Sequence, residues 1–305
     1  AVPANPLSQE RELAYQIRNA GVETLITLDL FYSRVAVLKD HTCLKRVIIS
    51  SIKDYLPSLK KMFYPLFQPR GDHKVTIEKG ADTFSFNDLI EKSSTHLPPV
   101  TISPEDVAIL QYSGGTTGVS KGAVLTHHNI VSNTVQICGW YHVIKRGAEV
   151  ILTILPLFHT YGLAVCMNLS IATGSCMVLM PRFVAKDILK AIEDYRATFF
   201  PGIPGIYAAL NNYKDIRKWD ISSVNYCISG SAPLPVSVIE RFEKLTGGII
   251  LEGYGLTEAS PVTHSNPVHR ERKIGSIGLP LADTDCRITD LEDGEKELPL
   301  GCLLY

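Results

Sequence analysis

Short, uninterrupted apolar runs recur along this chain, and they limit its fold more than any other feature. The runs at 107–112, 150–155, 176–180, 197–200, 225–229 and 249–252 lack the in–out alternation of a strand with one wet face, so each reads as a strand covered on both sides. A shorter strand is expected at 123–126, and segments of helical period lie at 128–138, 161–173, 185–195, 204–212 and 235–246. Such alternation builds parallel sheets joined by right-handed crossovers. The expected class is therefore α/β, with two parallel-sheet subdomains and helices on both faces. Nearer the start, a helix is expected after Ser8, with Leu13, Ile17 and Ala20 on one face and Gly21 closing it. Strands follow at 24–28 and 46–50, and Pro57, Pro65, Pro69, Gly71, Pro98 and Pro99 mark an irregular excursion between 51 and 103. After Gly275 the helical period disappears, and 288–305 reads as the start of a small β unit. The expected division is 1–103, part of a first α/β subdomain with its excursion; 104–274, a core α/β subdomain; and 275–305, the beginning of that β unit.

Charge narrows the functions open to such a fold. Thirty Lys and Arg face 31 Asp and Glu, so no net positive field recruits nucleic acid or anionic lipid, and a bound anion needs a local constellation. Residues 150–181 contain no Asp, Glu, Lys or Arg and hydropathy alone would pass them as a membrane span. Pro156, His159, Asn168, Gly174 and Pro181 cut that stretch into strand, helix and strand, so no transmembrane segment is expected. Seven cysteines without a C-x-x-C pair read as reduced, buried thiols of a cytoplasmic protein. Residues 1–7 lack the character of a signal peptide and the chain stops on Leu303, Leu304 and Tyr305; both ends are expected to be interior points of a longer polypeptide. The sequence leaves homodimer formation and peripheral membrane contact open, although no basic amphipathic stretch supports the latter.

The densest chemical signal is Gln111-Tyr112-Ser113-Gly114-Gly115-Thr116-Thr117-Gly118-Val119-Ser120-Lys121-Gly122-Ala123. Its glycines let the backbone turn N–H groups inward, its hydroxyls add donors, and Lys121 adds a point charge, a set suited to a polyphosphate. The P-loop of NTPases requires Gly-Lys-Ser/Thr, whereas Lys121 lies between Ser120 and Gly122. A second cluster, Glu252-Gly253-Tyr254-Gly255-Leu256-Thr257-Glu258, follows an apolar strand, where ligands of α/β sheets collect. There Gly253 and Gly255 permit close approach of a flat ligand such as a purine, Tyr254 offers a ring to stack on it, Thr257 a hydroxyl, and Glu258 a hard oxygen suited to Mg²⁺ beside phosphates.

These segments, with Leu155-Pro156-Leu157-Phe158-His159-Thr160-Tyr161-Gly162, Ile228-Ser229-Gly230-Ser231-Ala232-Pro233-Leu234 and Gly275-Ser276-Ile277-Gly278-Leu279-Pro280 in the same order, resemble the adenylate-forming (AMP-binding) superfamily of acyl-CoA synthetases, luciferases and peptide-synthetase adenylation domains. The resemblance implies ATP, Mg²⁺ and coenzyme A as partners of a small carboxylic acid, which is activated to an acyl adenylate and then captured by a thiol. It places Ser113, Gly114, Gly115, Thr116, Thr117, Gly118 and Lys121 on the ATP phosphates. Gly230, Ser231 and Ala232 line the adenine and adenylate, as do Glu252, Gly253, Tyr254 and Gly255. Thr257 contacts the α-phosphate, and Glu258, joined by Ser113, holds the metal; Lys121, Thr257 and Glu258 are the expected catalytic residues. Phe158, His159 and Tyr161 resemble a wall of the acyl pocket, although a His in an apolar run is often simply a hydrogen-bonded core residue. Within the superfamily the motifs look most like those of long-chain fatty acid–CoA ligases, with coumarate-like aryl acid ligases as the alternative and a non-catalytic nucleotide-binding module as the reading from another class. The Lys of the family's small C-terminal domain and its ribose-gripping Asp and Arg have no counterpart here, so these 305 residues alone are expected to have little or no activity.

Overall fold

A computed structural model of the chain describes residues 1–67, 82–113, 120–269 and 271–299. Two compact units emerge, Ala1–Val124 and Leu125–Tyr305. The first contains α1 (Glu10–Asn19), β1 (Thr24–Leu28), α2 (Tyr32–Asp40), β2 (Arg46–Ser50), α3 (Ser58–Phe67), β3 (Thr83–Ser85), α4 (Phe86–Lys92), β4 (Val107–Ser113) and most of β5 (Lys121–Thr126). Strands β1, β2 and β3 form a parallel sheet, and β4 pairs with β5. Ala14 and Ile17 of α1 pack with Leu38 of α2 and with Leu44, while Val35, Val47 and Ile49 form a second small cluster. The first helix ends as its sequence predicts: Gly21 takes φ +62° and the Val22 N–H returns 2.9 Å to the Ile17 carbonyl.

The excursion expected between 51 and 103 is more regular than its prolines suggested. Pro57 stands just before α3, where a proline does least harm to a helix, whereas Pro65 falls within its last turn and does not mark the turn expected there. Ser85 caps α4, its hydroxyl accepting from the Asp88 N–H at 3.3 Å.

The second unit contains α5 (His127–Trp140), β6 (Val150–Thr153), α6 (Leu169–Thr173), β7 (Cys176–Leu179), α7 (Ala185–Tyr195), β8 (Phe199–Gly202), α8 (Pro204–Asn211), β9 (Tyr226–Ser229), α9 (Val236–Thr246), β10 (Ile249–Gly255), β11 (Val262–Ser265) and β12 (Leu279–Pro280). Its sheet has the order β12-β11-β10-β9-β8-β6-β7. The pairs from β10 across to β7 are parallel, as expected, but β11 and β12 add an antiparallel edge, so the sheet is mixed. Adjacent residues on each central strand face opposite cores. Ile151, Phe199, Ile228 and Leu251 join Ile137, Val165 and Leu169 on one side, whereas Leu152, Phe200, Cys227 and Ile250 join Ile188, Ile192 and Phe242 on the other. Burial of both faces is the reason these strands read as continuous apolar runs.

Two sequence expectations need correction. The segment 161–173 is not one α-helix: Gly162–Asn168 is wound as a π-helix before α6 takes over. The cysteines are not uniformly buried, since Cys43, Cys176 and Cys286 are exposed, Cys138 is half-buried, and only Cys166 and Cys227 lie in the core among the described residues; Cys302 is outside those residues. The β unit expected from 288 is, among the described residues, a single bridge between Thr289 and Glu297. No helix among the described residues is long and apolar enough to cross a membrane.

Helix α5 is fastened to the antiparallel edge by a side chain that imitates a strand. The buried Asn133 donates from Nδ2 to the Val262 carbonyl at 2.7 Å and accepts at Oδ1 from the Val262 N–H at 3.1 Å. Asn133→Ala leaves both backbone groups without that partner, and urea unfolding is expected to show a loss of about 2–4 kcal/mol.

Candidate active site

In the first unit the chain leaves β4 at Ser113 and returns at Lys121. Gly114, Gly115, Thr116, Thr117 and Gly118 lie outside the described residues, but both ends of their segment are defined. The Ser120 hydroxyl donates to the Ser113 carbonyl at 2.9 Å and closes the base. Below it, Tyr112 is buried, sets its ring edge-on to Tyr15, and donates its hydroxyl to Asn19 Oδ1 at 2.5 Å, tying the strand pair to α1. A Cβ on Gly122 would come within 3.1 Å of the Tyr112 ring, so a larger residue there would have to displace that anchor. Lys121 is exposed and has no ion-pair partner among the described residues.

The second unit holds a cavity of about 460 Å³ at the carboxyl ends of β6, β8, β9 and β10, where the topology of an α/β sheet places ligands. Gly230 and Ser231 after β9, Gly253, Tyr254, Gly255, Leu256 and Thr257 from the end of β10, and His159 to Gly162 before and within the π-helix all border it. Its open side is mixed: Ser231, Tyr254 and His159 offer polar groups there beside exposed Pro156, Gly255 and Leu256. Ser231 and Ser260 both take left-handed backbone, φ +72° and +76°, a conformation that costs an L-residue roughly 1–2 kcal/mol and that the surrounding fold must over-determine. Its inner end is apolar and buried, formed by Tyr141, Val165, Ile228 and Val262.

Tyr161 lies at the middle of the wall, its hydroxyl reaching the Ile228 carbonyl at 2.8 Å and the Gly202 carbonyl at 3.2 Å. Burial raises its pKa well above the phenolic range, so it stays a neutral donor. His159 borders the cavity, its ring tilted 46° against that of Phe158 with centroids 4.9 Å apart; Phe158 is not a lining residue. Loss of water lowers the His159 pKa, and the ring presents a neutral face.

His264 on β11 is buried, with Nδ1 at 3.0 Å from Thr263 Oγ1, and desolvation lowers its pKa too. The unfolded chain takes up this proton at about pH 6.5 and the folded chain only at lower pH. Stability is therefore full above the unfolded value and declines as pH falls through it toward the folded value. Urea midpoints at pH 7.5 and 5.5 should show the acid loss, and His264→Gln should remove part of it.

Not every residue singled out from the sequence reaches the cavity. Gly230, Ser231, Gly253, Tyr254, Gly255, Thr257, His159 and Tyr161 do. Glu252 instead accepts at Oε2 from the Gly275 N–H at 2.9 Å, and burial raises its pKa. Ala232 is exposed on the turn beyond β9, and Glu258 is exposed on the single 3-10 turn Thr257–Ala259. No group of three metal-ligating side chains occurs among the described residues. Mg²⁺ is content with one or two carboxylates, waters and substrate phosphates, so an exposed Glu258 beside the cavity-lining Thr257 fits that ion. The buried end was missed from sequence: Tyr141 closes α5, Val262 begins β11 at the sheet's antiparallel edge 121 residues further along the chain, and neither carries a local motif.

The chain belongs to the AMP-binding enzyme family, whose pattern it matches over residues 1–301. It is 45% identical over 300 residues to a long-chain-fatty-acid–CoA ligase of Bacillus subtilis (strain 168), covering 98% of this chain and 53% of the relative. The chain thus spans about half the length of the curated relatives it matches. Among solved structures it resembles a long-chain-fatty-acid–CoA ligase from Archaeoglobus fulgidus, with TM-score 0.80 and 25% identity over 98% of this chain and 56% of that one. It is equally similar, at TM-score 0.80 and 26% identity over 98% of this chain and 53% of the other, to an anthranilate CoA ligase in complex with anthranoyl-AMP.

Proposed function

We propose that the complete protein activates a carboxylic acid with ATP and transfers the acyl group to coenzyme A, and that the acid is a long-chain fatty acid. The observation that carries this reading is the cavity of about 460 Å³, whose glycine- and hydroxyl-rich rim passes into a buried apolar end. A carboxylate at such a rim meets donors while its alkyl chain leaves water. A carboxylate oxygen attacks the α-phosphorus of ATP, the bond to pyrophosphate breaks, and an acyl adenylate remains; the thiol of coenzyme A then attacks the acyl carbon and AMP leaves. Positioning and charge neutralisation suffice for the first step, without a protein nucleophile.

In this reading Lys121 and the segment from Ser113 to Gly118 take the β- and γ-phosphates. Thr257 donates to the α-phosphate, and Gly230, Ser231, Ala232, Gly253, Tyr254 and Gly255 shape the surface for adenine and adenylate. Glu252 stiffens the end of β10 through Gly275. Glu258 would hold Mg²⁺, which supplies Lewis-acid neutralisation of phosphate charge. Phe158 backs the neutral His159, and Tyr161 orients the acid.

The likeness to an aryl acid ligase with its adenylate bound favours a second reading, an aryl acid of coumarate type. Exchange of labelled pyrophosphate into ATP by the complete protein tests both. Exchange should require an added acid, and alkanoic acids of long chain should support it better than aryl acids. The opposite ranking selects the aryl reading, and no exchange with any acid selects a non-catalytic nucleotide-binding module.

A further inference from the structure

We propose that Tyr141 is the floor of the cavity and sets the longest acyl chain the protein accepts, an inference that rests on the acid-activating reading above. Tyr141 lines the cavity, yet only 1% of it is exposed. Its neighbours at that end, Val165 and Ile228, are equally closed to solvent at 1% and 3%, whereas Tyr254 on the rim is 42% exposed. The cavity therefore runs from an open mouth that carries the Ser231 hydroxyl to a sealed end where Tyr141, Val165, Ile228 and Val262 belong to one buried cluster. A chain entering carboxylate-outward meets the phenol ring last.

Three contacts make that ring a fixed stop. Its hydroxyl lies 2.8 Å from Ser265 Oγ, a fully buried partner on β11. The ring stands edge-on to Phe199 of β8, with centroids 5.9 Å apart and an interplanar angle of 72°. Its backbone N–H closes α5 on the Ile137 carbonyl at 2.9 Å. Helix, central strand and edge strand thus converge on one side chain, and a methyl group arriving at it cannot swing it aside. Ser265 Oγ also faces the carbonyls of Glu252 at 3.4 Å and Asn266 at 3.3 Å, so removing the phenol leaves this hydroxyl with acceptors.

Affinity for a series of saturated fatty acids, measured by calorimetry on the complete protein, tests the assignment. Each methylene that enters the apolar end should tighten binding roughly fourfold, until the chain touches Tyr141 and the gain stops. In Tyr141→Ala the break should move to longer acids, and in Tyr141→Leu by a smaller step. Tyr141→Phe, which keeps the ring, should leave it in place. An unmoved break in a folded Tyr141→Leu or Tyr141→Ala protein overturns the proposal. A wild-type protein that binds no fatty acid overturns the fatty-acid reading itself and the floor with it, a result distinguishable because it precedes any substitution.

Discussion

Lys121→Ala in the complete protein is expected to slow acid-dependent pyrophosphate exchange roughly 10²–10³-fold, the usual cost of removing one preorganised group from a site of developing charge. The lysine is exposed at the start of β5 and has no ion-pair partner among the described residues, so its ammonium is free to meet phosphate. Its backbone is not free: Ser120 closes on Ser113 at 2.9 Å and the strand pair rests on Tyr112, itself bonded to Asn19. The charge is thus delivered by a fixed stem. Because the side chain makes no ion pair among the described residues, the unfolding free energy should stay within the ±0.5 kcal/mol scatter of ordinary surface substitutions. An unchanged exchange rate removes Lys121 from the phosphate role, and a loss beyond that scatter shows that its part is structural. Lys121→Arg should keep the charge and recover part of the rate, since a guanidinium is a planar fork and not a compact point charge.

Gly278→Ala is expected to cost about 3–5 kcal/mol of stability, in the range reserved for substitutions that break a named structural element. Gly278 has φ +90°, and a Cβ there would sit 2.1 Å from the Ser265 carbonyl carbon and 2.3 Å from the Asn266 nitrogen. Both are backbone atoms and cannot step aside without moving β11. That strand pairs with β12 at Ser265 and Leu279, and the buried Asn266 holds the intervening loop through the Ser276 carbonyl at 2.8 Å and the Lys273 N–H at 3.1 Å. Gly294→Ala supplies the comparison: φ is +62°, and nothing lies within 4 Å of the added carbon. It should lose only the left-handed backbone cost, roughly 1–2 kcal/mol. Equal losses in the two variants, read from urea unfolding, would show that the clash at Gly278 relaxes freely.

Much of the second unit was legible because its strands are buried twice over. Residues such as Ile151 and Leu152 face different cores, so both must be apolar, and the run itself marks the strand. Helix α7 could be read to the residue, Ala185–Tyr195, since Ile188, Leu189 and Ile192 form an apolar stripe at helical spacing. The first unit was harder: β3 has three residues, too few for a period, and α3 hides behind prolines. The π-helix of Gly162–Asn168 has the composition of an α-helix, so its wider winding could not be read from the residues.

The motifs with glycine and hydroxyl groups could be placed at strand ends from sequence alone, because the backbone freedom and donors they supply are local properties. Which of them share a cavity was decided by the sheet order, which brings the ends of β6, β8, β9 and β10 together. Glu252 and Gly253 are adjacent in the chain, yet Glu252 turns its side chain to the Gly275 N–H and Gly253 borders the cavity. The sealed end belongs wholly to tertiary structure. Tyr141 becomes a wall only because β11 sets Ser265 against its hydroxyl and β8 sets Phe199 against its ring, contacts between residues 124 and 58 positions apart in sequence that no local pattern can encode.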